Sequence, residues 1–291
     1  MKHKHIISAI IVLSFLLLSQ SMFATSRRAL VIGIGDYPKE SGWEKINGDK
    51  DIPMVEEMLT VNGFKKSDIV ELKNEQATYS AICKALSDLV SLSEEGDMVY
   101  IHFSGHGQQI TDLSGDEKDG LDEAWVPYDA CQKFQKGKYE GENHLLDDQL
   151  NRYLHNMREK VGETGKIIVI ADACHSGEAS RDLEGQNSKF VVRGTADVFV
   201  IPNEYIAKNQ EKTLHPINWI FISACKPYQC NYEYNDNGSL TYAMYQQKDK
   251  FSELTSKQLN IKIKSCISNI IPFTQTPVLE TAEGEESNIF F

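Results

Sequence analysis

Two short stretches hold the side chains best suited to chemistry, and each follows an apolar run. The run 98–103 leads into Ser104-Gly-His-Gly107, and the run 166–171 leads into Asp172-Ala-Cys-His-Ser-Gly177. If both runs are parallel strands of one sheet, their carboxyl ends lie on the same edge, and residues distant in sequence meet there. The arrangement brings a thiol to an imidazole, which is the usual requirement for a nucleophilic cysteine–histidine pair.

Cys174 needs a base, because a free cysteine is mostly protonated at neutral pH. His175 is next to it in sequence but badly placed, since consecutive residues of an extended segment point to opposite faces. His106 comes from the neighbouring strand end and can approach the thiol directly. We therefore predict Cys174 as the nucleophile and His106 as its base, with His175 shaping the turn. The alternative is that these are ordinary loop residues.

The elements that must position this pair follow from hydrophobic periodicity. Short apolar runs bounded by turn residues predict strands, and apolar residues at helical spacing predict helices between them. The predicted strands are 29–34, 68–72, 98–103, 166–171, 219–223 and an edge strand at 276–280, and the predicted helices are 51–59, 78–92 and 147–157.

Strands that alternate with helices favour a mostly parallel sheet covered on both faces. The continuous apolarity of the runs at 98–103, 166–171 and 219–223 agrees with burial on both sides. Two long polar segments, roughly 111–144 and 178–215, interrupt the pattern. Such segments at strand ends are where sites are built in α/β proteins.

These motifs resemble those of a metacaspase-type member of the caspase-like cysteine peptidases (peptidase family C14, clan CD). The stretch 102–107 resembles the histidine motif of that family, and 172–177 resembles its cysteine motif. Further stretches agree in the same order, at 29–34, 51–64, 115–124, 222–225, 237–243 and 275–279. The resemblance implies a caspase-like (caspase-hemoglobinase) fold, a three-layer α/β/α sandwich with a mostly parallel six-stranded sheet.

The resemblance also implies cysteine-dependent peptide hydrolysis. His106 would activate Cys174, whose thiolate would attack the scissile carbonyl and form a thioester acyl-enzyme. Backbone N–H groups of Gly107 and Cys174 would form the oxyanion hole. No cofactor is then required for the chemistry itself.

Members of the family cut after Arg or Lys and place carboxylates in the S1 pocket. The matching residues are Asp172 and Asp51, with Ser104 beside them, so the predicted substrates are peptides or proteins with a basic P1 residue. A buried pair of carboxylates repels unless a guanidinium or ammonium group lies between them. The alternative is that Asp172 caps a turn and Asp51 caps a helix.

Several relatives bind calcium through aspartates. Asp122, Asp147 and Asp148 stand at matching places, and carboxylate oxygens suit that ion. Arg181 occupies the place of the expected fourth ligand, with Asp182 one residue later, so the chain departs from the pattern there. Calcium is thus expected as an activator, and the alternative is a solvated acidic loop.

The segment after the nucleophile is the place where relatives are often cleaved by their own activity. In this chain it carries several basic residues, any of which fits a self-cleavage site. They are Arg181, Lys189, Arg193, Lys208 and Lys212.

The N-terminus has the three parts of a secretory signal. Lys2 and Lys4 form a basic start, 6–18 is almost wholly apolar, and small residues follow up to Ala24. We therefore expect residues 1–24 to be a cleaved signal peptide and 25–291 to be a caspase-like peptidase domain, exported to a periplasm or the cell exterior. The alternative is an uncleaved anchor, although the apolar run is short for a membrane span.

The net charge and the cysteine count limit which classes of binding partner and which covalent links are expected. The formal net charge is −12, which argues against nucleic acid, because phosphate binding needs a basic face. We expect a monomer that is not inserted in a membrane after signal cleavage. The six cysteines are irregularly spaced and do not form a disulfide framework, although a local Cys225–Cys230 bridge stays open.

Two other functions compete with peptide hydrolysis. The first is a catalytically silent caspase-like module that binds proteins, which the presence of both Cys174 and His106 disfavours. The second is a zinc hydrolase using Cys174, His175 and His106. Adjacent Cys and His side chains do not easily ligate one ion in tetrahedral geometry, which disfavours the zinc hydrolase.

Overall fold

The computed structural model describes residues 25–115, 117–174, 190–202, 204 and 217–291. Its centre is a six-stranded sheet of five parallel strands and one antiparallel edge strand. In chain order these strands are β1 (Arg27–Gly33), β2 (Ile69–Lys73), β3 (Met98–Ser104), β7 (Lys166–Asp172), β8 (Ile220–Ser223) and β11 (Val278–Glu280), arranged β11-β8-β7-β3-β1-β2. This confirms the predicted mostly parallel six-stranded sheet.

A second, antiparallel sheet packs near the carboxyl edge of the first. It consists of β4 (Gly107–Thr111), β5 (Leu121–Trp125) and β6 (Leu145–Leu146). None of these three strands was predicted from the sequence, where 111–144 was described only as a long polar segment. These strands are only half apolar, so their pattern lacks the continuous runs of the central sheet.

Helices cover both faces of the central sheet and make it the middle of three layers. Two helices pack on one face and three on the other, each with an apolar stripe in its own core. The first face carries α2 (Tyr79–Leu92) and α3 (Asp147–Val161), and the second carries α1 (Ile52–Val61), α4 (Ser239–Tyr245) and α5 (Ser256–Ile270).

Local chemistry explains where these helices start. Thr78 caps α2 by accepting a hydrogen bond from the Ala81 N–H, and Thr255 forms a capping box with Gln258 at α5. The predicted helices 51–59, 78–92 and 147–157 are confirmed with small shifts of their ends. The helix α5 was not predicted.

A small hairpin brings further residues to the carboxyl edge. It joins β9 (Glu233–Tyr234) to β10 (Asn237–Gly238) through Asn235 and Asp236, which both have positive φ angles of 51° and 62°. Two central residues with positive φ give the tight turn whose twist matches paired strands. The hairpin thereby holds Glu233 and Gly238 beside the ends of β3 and β7.

Among the described residues, no helix is long and apolar enough to cross a membrane. The predicted signal peptide, residues 1–24, lies outside the described part of the chain.

Candidate active site

Strand register places the two motifs next to each other. The strands β3 and β7 pair in parallel, with Ser104 opposite Asp172 at their carboxyl ends. Gly33 of β1 lies opposite Ser104 on the other side. The residues that follow β3 and β7, including His106 and Cys174, therefore leave the sheet at one edge, as the parallel arrangement predicts.

His106 is a buried, neutral imidazole with one free nitrogen. Its ring stacks on Trp43 at 4.8 Å between centroids and lies 5.1 Å from the Tyr37 ring. Burial lowers the pKa of His106 to about 4, against an opposing hydrogen bond to Glu44. Its Nε2 lies 2.8 Å from the Glu44 carbonyl oxygen, which can only accept, so Nε2 carries the proton.

The same tautomer leaves Nδ1 of His106 as an unprotonated lone pair. This atom is buried and has no hydrogen-bond partner among the described residues. A buried polar atom left unpaired is costly and usually marks a functional group. His106 is therefore prepared to accept a proton at Nδ1.

Cys174 lies directly beyond β7 and is fully buried. Its thiol donates a hydrogen bond to the Gln229 carbonyl oxygen at 2.9 Å. The pKa of the thiol is raised, chiefly by its contact with the Cys225 thiol, while contact with the Cys230 thiol opposes the shift and burial adds to it. In this arrangement the nucleophile predicted from sequence is a protonated thiol.

A peptide segment of the chain itself lies against the backbone of Cys174. The Cys174 N–H donates to the Arg193 carbonyl oxygen at 2.8 Å, and the Arg193 N–H donates to the Asn231 carbonyl oxygen at 3.0 Å. Gly194 forms a parallel bridge with Gly107. The Arg193–Gly194 peptide therefore packs between Cys174 and Gly107, and the Arg193 carbonyl oxygen accepts from the N–H of Cys174, one of the two predicted oxyanion donors.

Only glycine fits after Arg193. A Cβ atom on Gly194 would overlap the Cys174 carbonyl oxygen and lie 2.9 Å from the Cys174 Cβ. Real side chains do not tolerate such contacts, so the missing Cβ lets this peptide approach the thiol closely.

The Arg193 side chain is fully buried between three carboxylates. Its Nη1 lies 2.7 Å from Oδ2 of Asp51 and 3.7 Å from Oδ1 of Asp172, and its Nε lies 3.1 Å from Oε1 of Glu233. The pKa of Arg193 is raised, because attraction to these three carboxylates outweighs its burial. A guanidinium group thus occupies the pocket that Asp51 and Asp172 form.

Neutral donors hold these carboxylates in place. Asp172 accepts from the Asn231 amide at 2.7 Å and from both the N–H and the hydroxyl of Thr241 at 2.7 and 2.6 Å. Asp51 accepts from the Ser104 hydroxyl at 2.8 Å and from the Asn237 amide at 3.1 Å. These bonds fix the orientation of both carboxylates toward the guanidinium.

His102 links the Asp51 and Asp172 carboxylates through two hydroxyl groups. Its Nε2 lies 3.2 Å from the Ser104 hydroxyl and 3.1 Å from the Thr241 hydroxyl. Both hydroxyls already donate to carboxylates, so Nε2 must be the donor and Nδ1 must accept from the Tyr100 hydroxyl at 3.1 Å. Burial lowers the pKa of His102 to about 4, which agrees with this neutral form.

The residues predicted as calcium ligands lie in an acidic group at the start of α3. Burial raises the pKa values of Asp122 and Asp147 to about 7, and repulsion from neighbouring carboxylates adds to the shift. The Oδ1 atom of Asp147 is buried without a hydrogen-bond partner in the described part of the chain. This donor chemistry suits a hard cation. Within the same described residues, no group of three or more His, Cys, Asp or Glu side chains is arranged to hold a metal ion.

The structure brings together most of the residues predicted from sequence. Asp51, Ser104 and Asp172 meet around Arg193, and the Cys174 N–H faces the Arg193 carbonyl. Several predicted residues lie outside the described part of the chain, namely His175, Arg181, Asp182, Lys189, Lys208 and Lys212. The structure contains no disulfide between Cys225 and Cys230, which both lie in the described part of the chain.

Three contributors to this site, Glu233, Asn231 and Thr241, were not predicted from the sequence. Arg193 was predicted only as one of five basic residues that fit a self-cleavage site. The signal that could have found Arg193 is the glycine that follows it, because a substrate-like peptide must pass close to the thiol.

A caspase-like sandwich with a cysteine and a histidine at adjacent strand ends is the arrangement of a cysteine peptidase. A family model described as "Metacaspase, peptidase C14 domain" matches residues 27–183, which include both motifs. The chain belongs to the metacaspase peptidase C14 family.

Curated relatives agree with this assignment. Metacaspase-1A of Aspergillus clavatus and of Aspergillus niger are each 32% identical over 161 residues, covering 53% of this chain and 34% and 36% of those proteins. Metacaspase-1B of Aspergillus fumigatus is 32% identical over 162 residues, covering 53% of this chain and 36% of that protein. The alignments thus span about a third of the length of the curated relatives.

A solved structure supports the fold independently of these sequences. Protein GSU0716 from Geobacter sulfurreducens superposes with a TM-score of 0.64 at 22% sequence identity, covering 88% of this chain and 93% of that one. At this identity the likeness concerns the fold alone.

Proposed function

We propose that this chain is an exported cysteine endopeptidase that hydrolyses peptide bonds after Arg or Lys and cleaves itself between Arg193 and Gly194. One observation carries the proposal. The Arg193 guanidinium lies between buried carboxylates while its carbonyl oxygen accepts a hydrogen bond from the Cys174 N–H at 2.8 Å. This peptide occupies the site in the way a substrate with a basic P1 residue would.

The reaction starts with proton transfer from the Cys174 thiol to Nδ1 of His106. For this the thiol turns away from the Gln229 carbonyl, where it now donates. The thiolate attacks the P1 carbonyl carbon, and the developing oxyanion is stabilised by the Cys174 N–H and, as predicted, the Gly107 N–H. His106 then protonates the leaving amine, and water hydrolyses the thioester.

Charge decides which P1 residue is accepted. Asp51, Asp172 and Glu233 together give the pocket three carboxylates, all of which contact the one guanidinium. An Asp side chain at P1 would add a fourth negative charge to a buried site, which is strongly unfavourable. Arg can satisfy all three acceptors, whereas Lys offers a single ammonium group without the Nε–H that Glu233 binds.

Self-cleavage follows from the same geometry. While Arg193 fills the pocket, no other P1 side chain can enter, so the intact chain inhibits itself. Hydrolysis between Arg193 and Gly194 leaves Arg193 as a new carboxyl terminus that can leave the pocket. Protein substrates would then be admitted.

Calcium is proposed as an activator at the acidic group of Asp122, Asp147 and Asp148. A bound cation would offset the burial and the carboxylate repulsion that together raise the pKa values of Asp122 and Asp147. Thermal melting with calcium and with magnesium tests binding without reference to activity. A calcium-specific rise in Tm that is lost in Asp147→Asn supports the site, and equal melting in all conditions argues against it.

A peptide assay tests the peptidase activity. The purified chain is incubated with fluorogenic peptides carrying Arg, Lys or Asp at P1, with and without calcium, beside Cys174→Ala. We expect turnover of Arg and Lys peptides only, and none in the variant. Turnover confined to Asp peptides would refute the pocket argument, and a complete lack of turnover under all conditions would favour the silent binding module.

Fragment analysis tests self-cleavage separately. We expect a fragment that begins at Gly194 on N-terminal sequencing, and an intact chain in Cys174→Ala. Cleavage only after another basic residue of this segment would show that Arg193 is a bound inhibitor rather than a cleavage site. Sequencing the N-terminus of protein recovered outside the cytoplasm tests export and removal of residues 1–24, and light scattering of the purified chain tests the expected monomer.

A further inference from the structure

Three cysteines meet at the predicted nucleophile. The Cys174 and Cys225 thiols both donate to the Gln229 carbonyl oxygen, at 2.9 and 3.1 Å. Cys174 also contacts the Cys225 and Cys230 thiols directly. The proposed peptidase chemistry uses only Cys174, so the other two sulfur atoms are left without a role.

The fold fixes Cys174 and Cys225 as neighbours. They follow β7 and β8, which are adjacent parallel strands with Ala171 opposite Ser223. The Ala224 N–H also donates to the Ala171 carbonyl oxygen at 3.0 Å, so the pairing reaches the residue before Cys225, while Cys174 lies two residues beyond the end of β7. The closeness of the two thiols therefore rests on their shared acceptor, the Gln229 carbonyl oxygen, and on their direct contact.

We propose that Cys225 is a resolving cysteine, and that a peroxide converts the active site into a reversible Cys174–Cys225 disulfide. This inference rests on the proposed function only for its consequence, the loss of peptidase activity. The formation of the bond itself depends on the sulfur positions alone. A small peroxide fits as the oxidant because both side chains are buried while Arg193 fills the pocket, at 0% and 8% exposure.

The chemistry balances with peroxide as the two-electron oxidant. The Cys174 thiol loses its proton, and the thiolate attacks one peroxide oxygen and breaks the O–O bond. The products are a sulfenic acid and a hydroxide, which takes up the proton lost by the thiol and becomes water. The Cys225 sulfur then attacks the Cys174 sulfur, and the sulfenic hydroxyl leaves with the Cys225 proton as a second water. A dithiol reductant reverses the bond by thiol–disulfide exchange.

Cys225 is a better resolving partner than Cys230. The Cys225 and Cys174 thiols donate to the same acceptor, the Gln229 carbonyl oxygen, so the two sulfur atoms already face a common point. Cys225 also follows the strand adjacent to β7, whereas Cys230 lies five residues further along the loop. Without a resolving thiol, continued oxidation carries a sulfenic acid to a sulfinic acid, which ordinary reductants do not reverse.

Peptide mapping tests the bond directly. The full chain is treated with hydrogen peroxide, blocked with an alkylating reagent and digested without reduction, and cross-linked peptides are identified by mass spectrometry. Cleavage of an Arg-P1 peptide is followed in parallel before and after dithiothreitol. Cys225→Ser is compared with Cys131→Ser, a half-buried cysteine of a different loop, as the matched control.

We expect the wild type and Cys131→Ser to yield a Cys174–Cys225 peptide and to regain their activity in dithiothreitol. Cys225→Ser should lose activity irreversibly as Cys174 becomes a sulfinic acid. A Cys174–Cys230 or Cys225–Cys230 bridge, or sulfinic acid at Cys174 in the wild type, overturns the proposal. Mapping does not need turnover, so a chain that forms the bond but cleaves no peptide refutes the proposed function and leaves the resolving role intact.

Discussion

Removing the Arg193 side chain tests the pocket most directly. Arg193→Ala takes away the guanidinium that separates Asp51, Asp172 and Glu233, all of which are buried. The backbone bonds of residue 193 to Cys174 and Asn231 need no side chain and stay available. The substitution therefore isolates the charge from the position of the peptide.

The expected magnitude follows from the burial of the pair. Removing one partner of a buried ion pair costs about 3–5 kcal/mol, because the remaining charge is left without compensation. For a chain of this size, 1 kcal/mol shifts Tm by roughly 2–4 °C, so we expect Tm to fall by about 6–20 °C. Self-cleavage after residue 193 should be lost as well.

Thermal melting measures the fall, and a small cation tests its cause. Adding ethylguanidinium to Arg193→Ala should raise Tm, since it restores the missing charge in the cavity, whereas the same concentration of ethylammonium should raise it less. Lys133→Ala is the control. Lys133 forms an exposed ion pair at 3.7 Å with Asp197, which lies on the same segment as Arg193. Loss of this pair should leave Tm close to that of the wild type.

Two results would refute this reasoning. If Arg193→Ala melts like Lys133→Ala, the carboxylates do not depend on the guanidinium. If Tm falls but ethylguanidinium restores nothing, the loss comes from packing rather than from charge, and the pocket is not a site for a basic P1 side chain.

Three further substitutions test separate parts of the site. Glu233→Gln should lower kcat/KM for Arg peptides roughly tenfold to a hundredfold and leave kcat/KM for Lys peptides little changed. The reason is that only an Arg side chain has an Nε–H to donate to the Glu233 carboxylate. An equal loss for both kinds of peptide would contradict this. Gly238→Ala should reduce cleavage of Arg peptides by about a hundredfold or more, since its Cβ would overlap the Asp172 carboxylate; unchanged kinetics would contradict the packing. Asp147→Asn should flatten the dependence of Tm on pH. The pKa of Asp147 is about 7 in the folded chain, above its value in the unfolded chain, so Asp147 lowers the stability of the fold as pH rises from 4 to 7. The variant should therefore gain most Tm over the wild type at pH 8, and identical pH profiles would contradict this.

The central sheet was predictable because its strands are buried on both faces. The runs at 98–103 and 166–171 are continuously apolar, and their burial is complete or nearly so. A parallel sheet then leaves little freedom in where the following residues go, which is why His106 and Cys174 could be placed at one edge from sequence alone. The strand Gly107–Thr111 carries two glutamines in five residues and gave no such signal.

The pocket was only partly predictable, because its members come from distant parts of the chain. Asp51 and Asp172 were found by their motifs. Glu233 reaches the site on a strand of two residues, which is too short for any periodic pattern. Arg193 differs from the other basic residues of its segment by the glycine that follows it, but the need for a glycine there becomes clear only from the contact of Gly194 with Cys174.

The electrostatics of the site explain why Cys174 is not ionised while Arg193 fills the pocket. The thiol of Cys174 and the imidazole of His106 are both neutral, because the pKa of the thiol is raised and that of the imidazole is lowered to about 4. After burial and its hydrogen bond, the third influence on the His106 pKa is the positive charge of Arg193, which lowers it. Because a lower pKa makes His106 a weaker base, the guanidinium in the pocket opposes transfer of the thiol proton to Nδ1. Burial is the larger cause of the low pKa, so the neutral thiol–imidazole pair reflects both the burial of His106 and the bound guanidinium.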